Sequence, residues 1–156
     1  MIRHENIMIE AEHIARYSHF GQVDKAGQPY ILHVERVVDA CTHSLSKTVA
    51  WLHDVVEDSD FWTLGRLYNY GFPEYIIYPL DCITRRKGEG YGEYIGRVAI
   101  NGISTEVKLA DLTDNLRRDR IAQPTQNDHL RWHIYETAKR YLESVKKSQK
   151  LIRIEF

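Results

Sequence analysis

The sequence predicts an all-α fold, a single-domain helical bundle. Apolar residues recur at helical spacing through most of the chain. No two segments alternate apolar and polar residues as paired strands would. At 156 residues, 43% hydrophobic and 28% charged, the chain suits one domain with a core of its own.

Each element has its own signal. Residues 3–19 read as a helix, with Ile7, Met8, Ala11, Ile14 and Ala15 on one apolar face. Gly21 to Tyr30 holds two glycines and a proline, so it reads as a loop whose polar side chains are available for binding. A second helix runs from about His33 to Cys41 with Val34, Val37 and Val38 inward. Residues 45–57 form the next, where Leu45, Val49, Leu52 and Val56 make the buried stripe. A short helix at about 62–69 ends near Gly71, and Pro73 starts another that reaches about Ile83. Thr84 to Gly90 is a basic loop carrying Arg85, Arg86 and Lys87. Tyr91 to Ile100 is helical and is stopped by Asn101-Gly102. On a helix from about Ser104 to Arg118, one polar face carries Lys108, Asp111, Asn115 and Arg118, and Val107, Leu109, Leu112 and Leu116 fill the other sides. After Pro124, residues 126–146 form the last long helix, with Leu130, Ile134, Ala138, Tyr141, Leu142 and Val145 inward. The domain spans 1–148, and 149–156 is a tail, a short strand or disordered.

Composition narrows the function classes. A formal net charge of −1 offers no broad basic field for nucleic acid, although a local basic pocket for a phosphorylated small molecule is compatible with it. Cys41 and Cys82 form no CxxC pair and read as reduced thiols of a cytoplasmic protein. No apolar run has membrane-spanning length, and the N-terminus has no signal-peptide pattern. A homodimer is open, since a chain this small often completes its surface that way, but no specific interface is legible.

The chemistry concentrates in Trp51 to Asp58, where an apolar helix carries His53, Asp54, Glu57 and Asp58 at one end. In a continuous helix Glu57 lies i+4 from His53 and Asp58 i+4 from Asp54. Buried charge must be paired or metal-bound, so such a cluster points to a site. His33, the pair His53 and Asp54, and Asp111 offer two imidazoles and two carboxylates, a set that suits Mn²⁺, Fe²⁺ or Zn²⁺ better than Ca²⁺ or Mg²⁺. With eight histidines in the chain a lone His-Asp dipeptide means little, and the conjunction carries the case. The competing readings are a helix-end pair for His53-Asp54, a capping or core role for His33, and an ion pair of Asp111 with Lys108 or Arg118. His4, His13, His19, His43, His129 and His133 have no partner pattern and read as surface or packing residues.

Three segments carry a resemblance: Gly21-Gln22 with Lys25 to His33, Leu52 to Ser59, and Val107 to Arg117. Together they resemble the HD-domain superfamily of metal-dependent phosphohydrolases, and within it the hydrolase domain of RelA/SpoT homologues and the stand-alone small alarmone hydrolases. Ile83 to Gly88 followed by Tyr94-Ile95 is also similar to short bacterial and phage HD proteins. The resemblance implies a helical HD fold and metal ligation by His33, His53, Asp54 and Asp111, with Mn²⁺ expected. It implies that Glu57 and Asp58 position or activate the attacking water, and that Asn115 contacts ribose or phosphate. The implied reaction removes pyrophosphate from the 3′ position of a guanosine alarmone such as ppGpp. Lys25, Arg85, Arg86, Lys87 and Lys108 are available to neutralise phosphates, and Tyr30 to line the base or ribose pocket. The chain departs from that family at Asp24-Lys25-Ala26-Gly27, where an arginine expected to stack on guanine is replaced by Asp24, and at Val34, where a proline is usual. Two alternatives follow: hydrolysis of another nucleotide, deoxynucleotide or dinucleotide cofactor, and a non-catalytic nucleotide-binding sensor.

Overall fold

The computed structural model describes residues 7–152. Nine α-helices follow one another there: α1 (Ile7–Ser18), α2 (Ile31–Ala40), α3 (Ser44–Leu52), α4 (Val55–Asp58), α5 (Leu64–Tyr70), α6 (Glu74–Ile83), α7 (Tyr91–Val98), α8 (Gly102–Asn115) and α9 (Gln126–Ile152). A 3₁₀ turn, Arg118–Arg120, lies between α8 and α9. Among the described residues the sole β pairing is an isolated bridge between Val23 and Pro29, inside the loop after α1. Positions 3–6 of the expected first helix and 153–156 of the expected tail lie outside the described residues. The last helix runs across position 148 without a break. No described helix is long and apolar enough to cross a membrane.

Helix α3 is the centre of the bundle. It packs on α1, α2, α6 and α8, and Val49, Ala50 and Leu52 are fully buried. Helix α8 is the second axis, laid against α2, α3, α6 and α9, with Val107 and Leu112 buried. Hydrophobic burial along these two helices supplies most of the driving force for the fold. It also presses their polar ends together, and the candidate site forms there.

The expected continuous helix over 45–57 is interrupted. Helix α3 ends at Leu52, Asp54 departs to φ −103° and ψ −8°, and α4 restarts at Val55. The side chain of His53 explains the bend. Its Nδ1–H donates to the Ala50 carbonyl at 2.6 Å, and that oxygen is the one a continuous helix would offer to the Asp54 amide. In consequence Val56, beyond the bend, is only partly buried while Val55 is fully buried; Leu45, expected in the buried stripe, lies in the first turn of α3 and is exposed, at 40%.

Helix α9 needs a second correction. Leu130, Ile134 and Tyr141 were expected inward and are exposed, at 59%, 47% and 48%. The packed face is Trp132, Ala138 and Leu142, with Tyr135 and Val145 partly buried beside them. Both stripes have helical periodicity, and the larger aromatic one wins the contact with α8. Met8 on α1 is likewise exposed, while Ile7, Ala11, Ile14 and Ala15 are buried as expected.

These assignments predict a contrast. Leu52→Ala should lower unfolding free energy by about 2–5 kcal/mol. Leu130→Ala should change it by less than about 0.5 kcal/mol. Urea unfolding followed by circular dichroism measures both.

Candidate metal centre

Two imidazoles meet where α2, the bend after α3, and α8 converge. His33 on α2 and His53 at the bend are 1% and 2% exposed, and their ring centroids lie 5.6 Å apart. Each ring has its Nδ1 committed away from the other. His33 Nδ1–H donates to Asp114 Oδ2 at 2.6 Å, and His53 Nδ1–H donates to Ala50 O. This fixes the tautomer and turns both Nε2 atoms inward. Both Nε2 atoms are buried without a hydrogen-bond partner among the described residues. A buried polar atom left unpaired costs about 1–3 kcal/mol, so two of them side by side call for a ligand.

Carboxylates surround this pair of nitrogens. Asp54 Oδ2 lies 3.0 Å from His53 Nε2 and 3.8 Å from His33 Nε2. Asp111 Oδ1 lies 3.3 Å from His33 Nε2 and 3.9 Å from His53 Nε2. His33, His53 and Asp54 each offer one ligand atom within 4.8 Å of the others. Asp111 closes the group from α8. The four residues singled out in the sequence therefore stand together, and two neutral nitrogens with two carboxylate oxygens form a donor set suited to a divalent transition metal.

The electrostatics keep the two carboxylates ionised. Burial works to raise Asp54 and Asp111, but the charge of His53 on Asp54 and of Lys108 on Asp111 outweighs it, and both carboxyls are held well below their usual range. Burial opposes charge on Lys108, yet Asp111, at 2.7 Å from its Nζ, keeps it an ammonium. Burial and then Asp54 push the Tyr30 phenol far up, so it stays neutral and donates to Asp54 Oδ2 at 2.5 Å. Asn115 Nδ2 donates to Asp111 Oδ1, also at 2.5 Å. Tyr30, Asn115 and Lys108, expected at the substrate, thus hold the carboxylates of the centre as well.

Glu57 and Asp58 sit on α4, one on each side. Glu57 accepts the Arg85 amide at 2.6 Å. Loss of solvent raises its carboxyl above the usual value, with Asp54 adding to the rise against the pull of that amide. Asp58 accepts from Gln22 Nε2 at 2.9 Å.

The basic residues divide. Lys25 lines a cavity of about 270 Å³ together with Tyr30, Asn115 and Arg120, over a wall of Trp132 and Tyr135. Its ammonium is paired with Asp128 at 2.9 Å. The Arg85 guanidinium lies over the Tyr91 ring and donates to Glu89 O, and Arg86 pairs with Asp81, so both turn away from that cavity. Lys87 is exposed on the same loop. Arg118 was expected on the polar face of α8 and instead pairs with Glu136 and lies 3.8 Å over Trp132, because α8 ends at Asn115.

Three participants have no counterpart in the sequence reading. Asp114, 5% exposed, receives His33, Arg36 and Arg120. Burial raises its carboxyl, but the hydrogen bonds from His33 and Arg36 and the charge of Arg120 hold it well below the usual range. Its i+3 spacing from Asp111 was the available signal. Arg120 spans Asp114 at 2.6 Å and Asp24 at 3.0 Å, a contact across 96 positions that no local pattern announces. His19, read as a surface or packing residue, is 2% exposed and hydrogen-bonded to Gln22.

No family model matches the sequence. Among solved structures, a metazoan ortholog of SpoT, described as hydrolysing ppGpp and playing a role in starvation responses, aligns over 96% of this chain and 98% of its own with a TM-score of 0.70. The two chains share one all-α fold. Sequence identity is 21%, so the likeness lies in the architecture.

Asp114→Ala strands Arg36, Arg120 and the ring of His33, and should cost about 3–5 kcal/mol. Because Asp114 is held low, its contribution is present above the ordinary carboxylate value and is lost as pH falls toward its folded value. His33 is pushed up to about 9 by Asp111 and Asp114 against the opposing effect of burial. In metal-free protein its contribution is therefore full below about pH 6.5 and lost as pH rises through about 9. Thermal melts of wild type and Asp114→Ala from pH 3 to 10 should show the acid-side loss reduced in the variant.

Proposed function

We propose that this chain is a divalent-metal-dependent phosphohydrolase acting on a phosphorylated nucleoside, with 3′-pyrophosphate release from ppGpp as its reaction. The observation that carries the reading is the pair of buried, unpartnered Nε2 atoms of His33 and His53 facing Asp54 and Asp111. His33, His53, Asp54 and Asp111 hold the metal, with Mn²⁺ as the working ion. A divalent metal supplies Lewis-acid polarisation of a phosphoryl oxygen and acidifies water. The chain supplies the rest. Glu57, with its carboxyl raised, accepts a proton, and Asp58 orients the attacking water. Lys108 offsets negative charge beside Asp111, and Tyr30, Lys25 and Asn115 face the nucleotide from the 270 Å³ cavity. The mixture of cations with Trp132 and Tyr135 suits an aromatic base carrying phosphates. The SpoT ortholog of the same fold hydrolyses ppGpp, which supports the choice of substrate. Buried free thiols at Cys41 and Cys82 support a cytoplasmic setting.

A second reading keeps the chemistry and changes the nucleotide. It is favoured by Asp24, which is tied to Arg120 and places a neutralised pair at the edge of the cavity.

Purified protein with Mn²⁺ and ppGpp should release pyrophosphate and leave GDP. Asp54→Ala should fall to background, and Asp58→Asn should lose about 10²–10⁴-fold in kcat. No turnover of ppGpp, with turnover of another member of a nucleotide panel, would establish the second reading. No turnover of any nucleotide would sink both.

Metal uptake should also release protons below about pH 9, since His33 carries one there and must lose it to ligate. Calorimetry of Mn²⁺ binding in buffers of different ionisation enthalpy measures the number released. Affinity should rise with pH up to that value.

A further inference from the structure

His19 lies at the end of α1, where its amide donates to Ala15 O at 3.0 Å. The chain then reverses at Gly21, whose φ of +77° is one that side-chain-bearing residues rarely adopt. Gln22 is pinned by its backbone on both sides of this turn: its amide donates to His19 O at 3.1 Å, and its carbonyl accepts Tyr30 N at 2.9 Å. Its side chain points to Asp58, and Gln22 Nε2 donates to Asp58 Oδ2 at 2.9 Å.

That bond determines the next one. An amide has one donor end and one acceptor end. With Nε2 given to a carboxylate, Gln22 Oε1 must accept, and the group 2.7 Å from it is His19 Nδ1. His19 therefore carries its proton on Nδ1, and its ring packs against Tyr30 with centroids 5.0 Å apart. Beside the Gln22 amide, that carboxylate has His19 Nδ1 itself 4.0 Å from Asp58 Oδ2, too far for a direct hydrogen bond, so the amide between them makes the contact. Asp58 ends a one-turn helix, and its side chain is 35% exposed, free to explore its rotamers unless bonded. A buried histidine thus orients an amide, and the amide orients an exposed carboxylate.

We propose that His19 is a positioning residue that acts through Gln22 to hold the Asp58 carboxylate in its working rotamer. The proposal rests on the phosphohydrolase reading, in which Asp58 orients water. Positioning matters because a displacement of about 1 Å at a reacting group can cost roughly 10²-fold in rate.

The test is a mutant cycle with Mn²⁺ and ppGpp. His19→Leu and Gln22→Leu should each lower kcat by about 10–100-fold, with KM and Mn²⁺ affinity unchanged. His19→Asn, whose side-chain amide can donate from nearly the same place as Nδ1, should restore most of the rate. In an Asp58→Ala background, His19→Leu and Gln22→Leu should cost nothing further, because the group they position is gone. Gln22 is not a core residue, so Gln22→Leu keeps the cycle readable if His19→Leu folds poorly. Equal losses with and without Asp58, losses in KM or metal affinity in place of kcat, or an unchanged kcat would overturn the proposal alone. An unsubstituted protein that hydrolyses no nucleotide would overturn the phosphohydrolase reading and this proposal with it.

Discussion

The centre depends on where two ring protons are spent. An imidazole offers a lone pair on one nitrogen when its proton sits on the other. Asp114 takes the Nδ1 proton of His33, and the Ala50 carbonyl takes that of His53, so both free lone pairs face the same small volume. The first of these bonds requires Asp114 to stay ionised inside the protein. Arg36 and Arg120 ensure that, and Arg120 in turn leans on Asp24 in the loop after α1. A run of charges from Asp24 through Arg120 and Asp114 to His33 therefore joins the edge of the cavity to the inward-facing Nε2 of that ring. Buried networks of this kind are costly when half satisfied and rigid when complete.

The bend at His53-Asp54 shows how local structure serves the same end. A continuous helix would leave the Ala50 carbonyl inside the backbone ladder and the imidazole without a fixed tautomer. Taking that carbonyl with Nδ1 sacrifices regularity at one residue and gains a fixed ring. The restart at Val55 then swings Glu57 toward the Arg85 amide and Asp58 toward Gln22. Full burial of Val49, Leu52 and Val55 anchors the bend on both sides. The irregular turn is thus held in place by the best-packed part of the core.

Much of this was legible in the chain. Order and type of the helices follow from periodicity, whereas His33, His53, Asp54 and Asp111 were singled out by the conjunction of three motif segments, which periodicity alone would not have marked. Misreadings fell where two patterns compete. On α9 Ala138, Leu142 and Val145 pack inward as read, but in the first half Leu130-Ile134 and Trp132-Tyr135 have compatible spacing, and only tertiary contact decides between them. Arg118 was assigned to the polar face of α8 because a helix end one turn earlier leaves no strong signal without Gly or Pro. Arg120 and His19 were invisible for a different reason: their partners are chosen by tertiary approach, 96 positions away for Asp24 and across a glycine turn for Gln22.

Asp24 changes meaning in this light. Beside the alarmone hydrolases it looks like a lost cation. In the folded chain its Oδ1 accepts the amides of Ala26 and Gln28, and its Oδ2 accepts from Arg120. Burial raises its carboxyl, but those amides and the arginine outweigh it and hold the group ionised. An aspartate used this way shapes the loop from within, as short polar side chains do in turns. It also brings a guanidinium to the edge of the cavity from the 3₁₀ turn after α8. Positive charge at the cavity is therefore supplied by a different element and is already partly neutralised by Asp24 and Asp114. That planar cation is held between Asp24 and Asp114, so its place at the cavity and the charge balance around Asp114 are set by the same two contacts. Arg36 shares Asp114 with it, so the loop after α1 reaches the His33 ring only through a carboxylate that two guanidiniums hold, and a change at Asp24 is felt there at second hand.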